Sequence, residues 1–136
     1  MANTIYGTAK AAFLSGSVAL LTDNIKAVLV DTGAYTANFT TDAFLSDIPG
    51  GARIATSANL ASKSVALGVF DAADITFTAV SGASCEALVL YKDTGVAGTS
   101  QLIGYFDSYT GLPVTPNGAD ITLTWDNGAN KIFALT

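Results

Sequence analysis

The spacing of apolar and polar residues along the chain predicts a mainly β fold. Residues 74–79 and 120–126 alternate strictly, which is typical of strands with one wet face. Other stretches are apolar or aromatic on both faces: 25–30, 85–91, 102–106 and 132–135. Because a two-layer sandwich gives each strand only one inner face, these strands need cover from an N-terminal helix, a long connection or another subunit.

Turn residues bound the apolar runs at short intervals, which predicts a single domain built as an antiparallel β-sandwich or barrel of about seven or eight strands. The runs that we expect to be strands are 25–30, 65–70, 75–80, 85–92, 101–107, 120–125 and 131–135. Ser81-Gly82 and residues 126–128, Asp-Asn-Gly, have the composition of tight turns. The two prolines of residues 112–118 predict a stiff loop.

The start of the chain predicts one short helix over residues 3–15, followed by the β-sandwich over residues 25–135. Asn3 or Thr4 can cap this helix, and Ser15-Gly16-Ser17 ends it. Its apolar face comprises Ile5, Ala9, Ala12 and Phe13. Residues 34–54 are less regular, and we interpret them as a long surface connection with aromatic anchors and a short helical turn at 41–45.

Charged residues make up 12% of the chain, against about 25% in typical proteins. A weakly polar surface of this kind is typical of a chain that is partly covered by neighbouring subunits. The net charge of −5, with no basic run, argues against nucleic-acid binding. The most apolar stretch, residues 11–21, is too short to span a membrane and is interrupted by Ser-Gly-Ser. We therefore expect neither a nucleic-acid partner nor a membrane partner.

The residue types argue against an enzyme. The chain has no histidine, so it can build neither a Ser-His-Asp triad nor a zinc site with histidine ligands. Its single cysteine, Cys85, lies in an apolar run and is interpreted as a small buried hydrophobe. No phosphate-binding glycine loop is present, and we expect no catalytic residues, no cofactor and no metal.

One motif resembles the catalytic segment of aspartic proteases. Residues 28–34 read Val-Leu-Val-Asp-Thr-Gly-Ala, and such enzymes use paired aspartates to activate water. The same Asp-Thr-Gly triplet recurs at 93–95, again at the end of an apolar run. After residues 102–104, which resemble a second protease element, 105–107 continue a strand instead of starting a helix. We therefore interpret Asp31 as a turn residue.

Two weaker hypotheses concern ligands. The first is a calcium site, although the spacing of its oxygen-bearing residues matches no calcium-binding loop and favours turns. Its candidates are Asp71, Asp74, Asp120, Asp126 and Asn127. The second is a sugar-stacking platform, which would make the chain a carbohydrate-binding β-sandwich module. Its candidates are Tyr35, Tyr105 and Tyr109.

Several segments resemble small virion proteins encoded by tailed bacteriophages. They are Leu-Thr-Asp-Asn-Ile-Lys-Ala-Val-Leu-Val-Asp-Thr at 21–32, Phe-Leu-Ser-Asp-Ile-Pro at 44–49, Glu-Ala-Leu-Val-Leu-Tyr-Lys-Asp-Thr-Gly at 86–95, Gly-Leu-Pro-Val-Thr-Pro-Asn-Gly-Ala-Asp-Ile-Thr at 111–122 and Trp-Asp-Asn-Gly-Ala-Asn-Lys-Ile-Phe at 125–133. The resemblance implies a non-enzymatic capsid decoration (cement) protein, with a tail or neck component as the alternative. It also implies a virion location after assembly in the host cytoplasm.

For partners, the resemblance implies the major capsid protein or other virion proteins, and a homo-oligomer, with a trimer favoured. Exposure and aromatic content in the connection and in the two-proline loop suggest the residues of the interface. The predicted interface residues are Tyr35, Phe39, Phe44, Tyr109, Leu112 and Pro113.

Overall fold

The structure is a computed structural model that describes residues 4–107, 112–125 and 131–134. In these residues the chain forms ten strands and one α-helix, α1 (Gly7–Ser15). The strands are β1 (Thr4–Ile5), β2 (Ile25–Val30), β3 (Arg53–Thr56), β4 (Ser64–Ala66), β5 (Val69–Asp71), β6 (Ile75–Phe77), β7 (Ala87–Lys92), β8 (Leu102–Phe106), β9 (Ile121–Leu123) and β10 (Phe133–Ala134). All strand pairs are antiparallel, so the predicted mainly β, antiparallel class is confirmed.

The largest sheet has five strands in the order β1-β8-β7-β2-β3. Its centre is the pair β2 and β7, which stays in register from Ile25 opposite Lys92 to Val30 opposite Ala87. Apart from Lys26 and the terminal Lys92, both strands consist of apolar or aromatic residues, as expected for strands that are covered on both faces.

One face of this sheet packs on two smaller sheets, which have the orders β10-β5-β4 and β6-β9. Leu29 and Leu88 of the large sheet share a core with Phe70 of β5, Phe77 of β6 and Phe133 of β10. This first core has the arrangement of a two-layer sandwich.

The opposite face of the large sheet is covered by the chain itself. Val28 and Val89 pack there in a second core that includes Tyr6 and Ala9 at the helix. The same core includes residues of the 34–52 connection: Tyr35, Leu45, Ile48 and Ala52. Of the three covers that the sequence allowed for these strands, the helix and the connection are the ones observed, and the central strands do not require a second subunit.

The start of α1 differs from the prediction. Thr4 and Ile5 pair with β8 as strand β1, and the helix begins only at Gly7. Tyr6 precedes the helix without a side-chain cap, so the prediction that Thr4 would cap it is wrong, and Asn3 lies outside the described residues. The predicted end is confirmed, since Gly16 adopts a left-handed conformation with φ of 81°.

The predicted strand 65–70 is in fact the hairpin of β4 and β5. Its turn is Leu67-Gly68, both with positive φ, 51° and 79°. A leucine is an unusual residue for this turn, which normally uses Asn-Gly, and its apolar side chain continued the strand pattern in the sequence.

The 34–54 connection also differs from the prediction. Its last residues form strand β3, which pairs with β2. The helical turn expected at 41–45 is a 3₁₀ turn at Leu45–Asp47, and further 3₁₀ turns lie at Gly50–Ala52 and Ala97–Thr99. The hairpin turn predicted at 126–128 lies outside the described residues. In the part of the chain that the structure describes, no helix is long and apolar enough to cross a membrane.

Candidate interaction surface

Tyr35, a predicted interface residue, belongs instead to a buried polar chain. Its side chain is 5% exposed. Its hydroxyl donates to Oδ2 of Asp42 at 2.7 Å, so the Tyr6 hydroxyl must donate to Tyr35 at 2.8 Å. Burial raises the pKa of both tyrosines well above the usual value. These hydrogen bonds attach the connection to the start of α1, and Tyr35 therefore has no place on the surface.

Phe39 has a similar internal role. Its ring lies 5.3 Å from that of Tyr6 and 5.4 Å from that of Tyr105, centroid to centroid. Tyr105 is itself buried, with 6% exposure. The sugar-stacking hypothesis is therefore wrong for Tyr35 and Tyr105, because a stacking platform needs exposed rings, and Tyr109 lies outside the described residues.

The remaining predicted interface residues are more accessible. Phe44 is 37% exposed. Leu112 is half-buried against the first core, and Pro113 beside it is exposed.

Both Asp-Thr-Gly triplets form the same hydrogen-bonded turn. Oδ1 of Asp31 accepts from the Gly33 amide at 2.8 Å, and Oδ1 of Asp93 accepts from the Gly95 amide at 3.0 Å. The Thr32 amide and hydroxyl both donate to Oε1 of Glu86 at 3.0 Å. The interpretation of the triplets as turns is confirmed.

Other candidate chemical groups also have structural partners. Oδ1 of Asp74 accepts from the Trp125 amide, and Oδ1 of Asp120 accepts from the Ala79 amide. Cys85 is buried, and this burial raises the pKa of its thiol to about 11. Within the described ranges, no three His, Cys, Asp or Glu side chains come together as a metal site. Asp126 and Asn127 lie outside those ranges.

An apolar groove opens where the chain leaves α1. It has a volume of about 330 Å³ and is lined by Phe13, residues 18–22 and Val65. Leu21 and Val65 are 53% and 45% exposed. The groove forms because Gly16 turns the chain back across the end of the helix, opposite the edge strand β4. We refer to the surface that these residues line as the groove.

Two further exposed leucines lie close in sequence to residues of the groove. Leu14 follows Phe13 on α1 and is 91% exposed. Leu67 is two residues beyond Val65, at the tip of the β4–β5 hairpin, and is fully exposed. Neither was predicted as an interface residue, because each is a single apolar residue at the end of an element.

A second, smaller apolar patch comprises Phe44 and Val96, which is 61% exposed. These residues precede two 3₁₀ turns that pack together, Leu45–Asp47 and Ala97–Thr99. The Leu45 amide donates to the Ser100 carbonyl at 2.8 Å and joins the two segments. We call this pair the Phe44–Val96 patch.

Charges of both signs lie beside the groove, where Nζ of Lys92 is 3.3 Å from Oδ2 of Asp23. Nζ of Lys92 lies 2.8 Å from the Ser17 carbonyl, and Nζ of Lys63 donates to the Asp23 carbonyl, both beside the groove. Beside Phe44 lies the carboxylate of Asp47, whereas that of Asp42 accepts from the buried Tyr35 hydroxyl. The amides of Phe44 and Ala43 donate to Asp47 and lower its pKa, which keeps this carboxylate charged at neutral pH.

No family model matches the chain, and no curated protein sequence matches it.

Proposed function

We propose that this chain is a non-enzymatic virion structural protein, a capsid decoration protein that binds and stabilises the head shell of a tailed phage. The observation that carries the proposal is the distribution of exposed apolar side chains. Among the described residues, the six large hydrophobic side chains that are exposed are Leu14, Leu21, Phe44, Val65, Leu67 and Val96. Two of them, Leu21 and Val65, line the groove, and exposed apolar side chains of this kind are expected of a chain that packs against protein partners.

The low charge supports the same proposal. With 12% charged residues, much of the surface can be buried against a partner without desolvating ions. The candidate chemical groups support a structural role, since the Asp-Thr-Gly carboxylates cap turns and Cys85 is buried. The resemblance of several segments to phage virion proteins indicates the kind of assembly.

The proposal is tested with heads of the phage that encodes the chain, prepared from particles in which its gene is deleted. The purified chain should sediment with these heads in a saturable manner and raise the temperature at which the shells open. Heads from the intact phage, whose sites are already filled, are the matched control and should take up no more. Binding to purified tails or necks, but not to heads, would replace the decoration role by the tail or neck role. Binding to none of these particles would contradict both.

A further inference from the structure

We propose that two copies of this chain associate through strand β4, which pairs antiparallel with β4 of the second copy across a two-fold axis. The contact joins the two three-stranded sheets into one sheet of six strands. It goes beyond the proposed virion role and does not depend on it. It gives a dimer, whereas the resemblance to virion proteins implies a trimer.

Strand β4 has an unpaired edge. It is the outer strand of the sheet β10-β5-β4, and all its residues, Ser64–Ala66, are exposed. The two-residue turn Leu67-Gly68 makes Ala66 and Val69 a hydrogen-bonded pair. Because such pairs alternate along an antiparallel ladder, the amide and carbonyl of Val65 point away from β5. Among the described residues, neither group bonds to a segment outside the sheet. This edge therefore fits a further strand.

The inner face of the same sheet ends in the groove. Phe133, Phe70 and Val65 lie opposite one another on β10, β5 and β4, so their side chains form one row on the same face. Phe133 and Phe70 are buried in the first core, whereas Val65 is 45% exposed and lines the groove. The groove is thus the open end of the first core. A strand added to β4 would place its own side chain at the next position of the row, over the groove, where an apolar residue fits.

The sequence of β4 makes a second copy the strand that fits. When two β4 strands pair about Val65, each Val65 lies opposite the other, and an apolar side chain takes the next position of the row in both copies. The two Val65 residues also exchange two hydrogen bonds through their outward amides and carbonyls. Because β4 carries no charged residue, two chains with a net charge of −5 can pair there without opposed carboxylates.

Leu67 supports the same contact. It is fully exposed and has φ of 51°, a left-handed conformation that strains a leucine. Strained residues cluster at functional sites. In the β4 pairing, Leu67 lies opposite Lys63 of the second copy, whose Nζ donates to the Asp23 carbonyl beside the groove. The dimer therefore brings the exposed leucine of each copy to the groove of the other.

Sedimentation velocity tests the contact, and the wild-type chain should be a dimer. Val65→Asp should raise the dissociation constant about 100-fold or more, because the two-fold axis places two like charges directly opposite each other. Val65→Pro should also weaken the dimer, since it removes the outward amide and leaves the hydrogen bonds between β4 and β5 intact. Thr78→Asp is the matched control, because it adds the same charge at an exposed site outside β4 and the groove. Circular dichroism must show each variant folded.

Disulfide crosslinking tests the register. Opposite residues of a hydrogen-bonded pair have Cα atoms about 5.5 Å apart, a distance that a disulfide spans. Val65→Cys should therefore crosslink the two copies in oxidised glutathione. Ser64→Cys lies on the same strand, but in this register its two copies are diagonal neighbours at about 7–8 Å, so it should crosslink about tenfold more slowly. The native Cys85 is buried and does not interfere.

Three results would overturn the proposal: a monomeric wild type, a dimer that Val65→Asp leaves intact, or equal crosslinking of Val65→Cys and Ser64→Cys. If the wild type is monomeric and Val65→Asp weakens binding to the gene-deleted heads, the edge of β4 pairs with a shell protein and not with a second copy.

Discussion

The close approach of the Phe106 ring to Gly104 leads to a sharp prediction about stability. Gly104 lies in β8, opposite Ile5 of β1 and Leu90 of β7. A Cβ atom at this position would lie 2.7 Å from Cζ of Phe106 and 3.3 Å from Cδ1 of Ile5. The ring cannot move to solvent, because it is 1% exposed and stacks on Phe133 at 6.4 Å.

Gly104→Ala should therefore destabilise the protein by overpacking. Forcing an extra methyl group into a packed core costs about 1–3 kcal/mol. For a chain of 136 residues, each kcal/mol lowers the melting temperature by roughly 3–4 °C, which gives a decrease of about 3–12 °C. Thermal and urea unfolding followed by circular dichroism measure the change, and the urea m-value should stay constant.

Gly98→Ala is the matched control, because a Cβ atom at Gly98 would meet nothing within 4 Å. It should change the stability by less than about 0.5 kcal/mol. Phe106→Leu in the Gly104→Ala background should restore part of the loss by removing the ring atoms that clash. Equal melting temperatures for Gly104→Ala and Gly98→Ala would refute the reasoning.

Three further predictions concern the buried polar groups. Tyr35→Phe should lower the free energy of unfolding by about 1–3 kcal/mol, because the Tyr6 hydroxyl loses its acceptor. Urea unfolding measures this change, and an unchanged free energy would contradict the buried chain of hydrogen bonds. Burial raises the pKa of all four described tyrosines above the unfolded value near 10. Their contribution to stability is therefore complete below about pH 10 and is lost above it, so the free energy of unfolding should fall as the pH rises above about 10, and a constant value would contradict their burial. Cys85, whose pKa is raised to about 11, should react with a thiol reagent far more slowly in the native state than in denaturant, and equal rates would contradict its burial.

The central strands could be predicted from the sequence because their pattern has one physical cause. β2 and β7 are nearly continuous apolar runs because both their faces are covered, and such runs can be recognised without knowing what covers them. The end of α1 could also be predicted from the sequence, because Gly16 adopts the left-handed conformation that terminates a helix.

The errors arose where tertiary contacts overrode local pattern. Thr4 and Ile5 resemble the start of a helix, yet pairing with β8 makes them a strand. Leu67 lies in a turn that the sequence pattern did not indicate, because it is apolar in a position that usually holds Asn. Tyr35 resembles an exposed aromatic residue of a long loop, and only its packing in the second core with Val28 and Val89 shows that the loop folds back onto the sheet.

The surface was the least predictable part. Of the predicted interface residues, Phe44 lies in one of the two apolar surfaces, whereas Leu14, Leu21 and Val96 were missed. A single apolar residue at an element end has no periodicity, so the sequence does not distinguish it from a core residue until the fold is known.

The chain itself covers both faces of the large sheet, and this changes the argument for partner proteins. The two-faced strands are satisfied within the chain, so the case for association now depends on exposed side chains at the groove and at the Phe44–Val96 patch. If the head binding that we propose uses these surfaces, Val96→Asp should weaken it, because this change places a charge at an exposed apolar position that would be buried against the shell. Titration of gene-deleted heads with the wild type, Val96→Asp and Thr78→Asp measures this, and Thr78→Asp is the control because it adds the same charge at an exposed site on neither surface. Equal affinity of the three would show that head binding does not use the Phe44–Val96 patch.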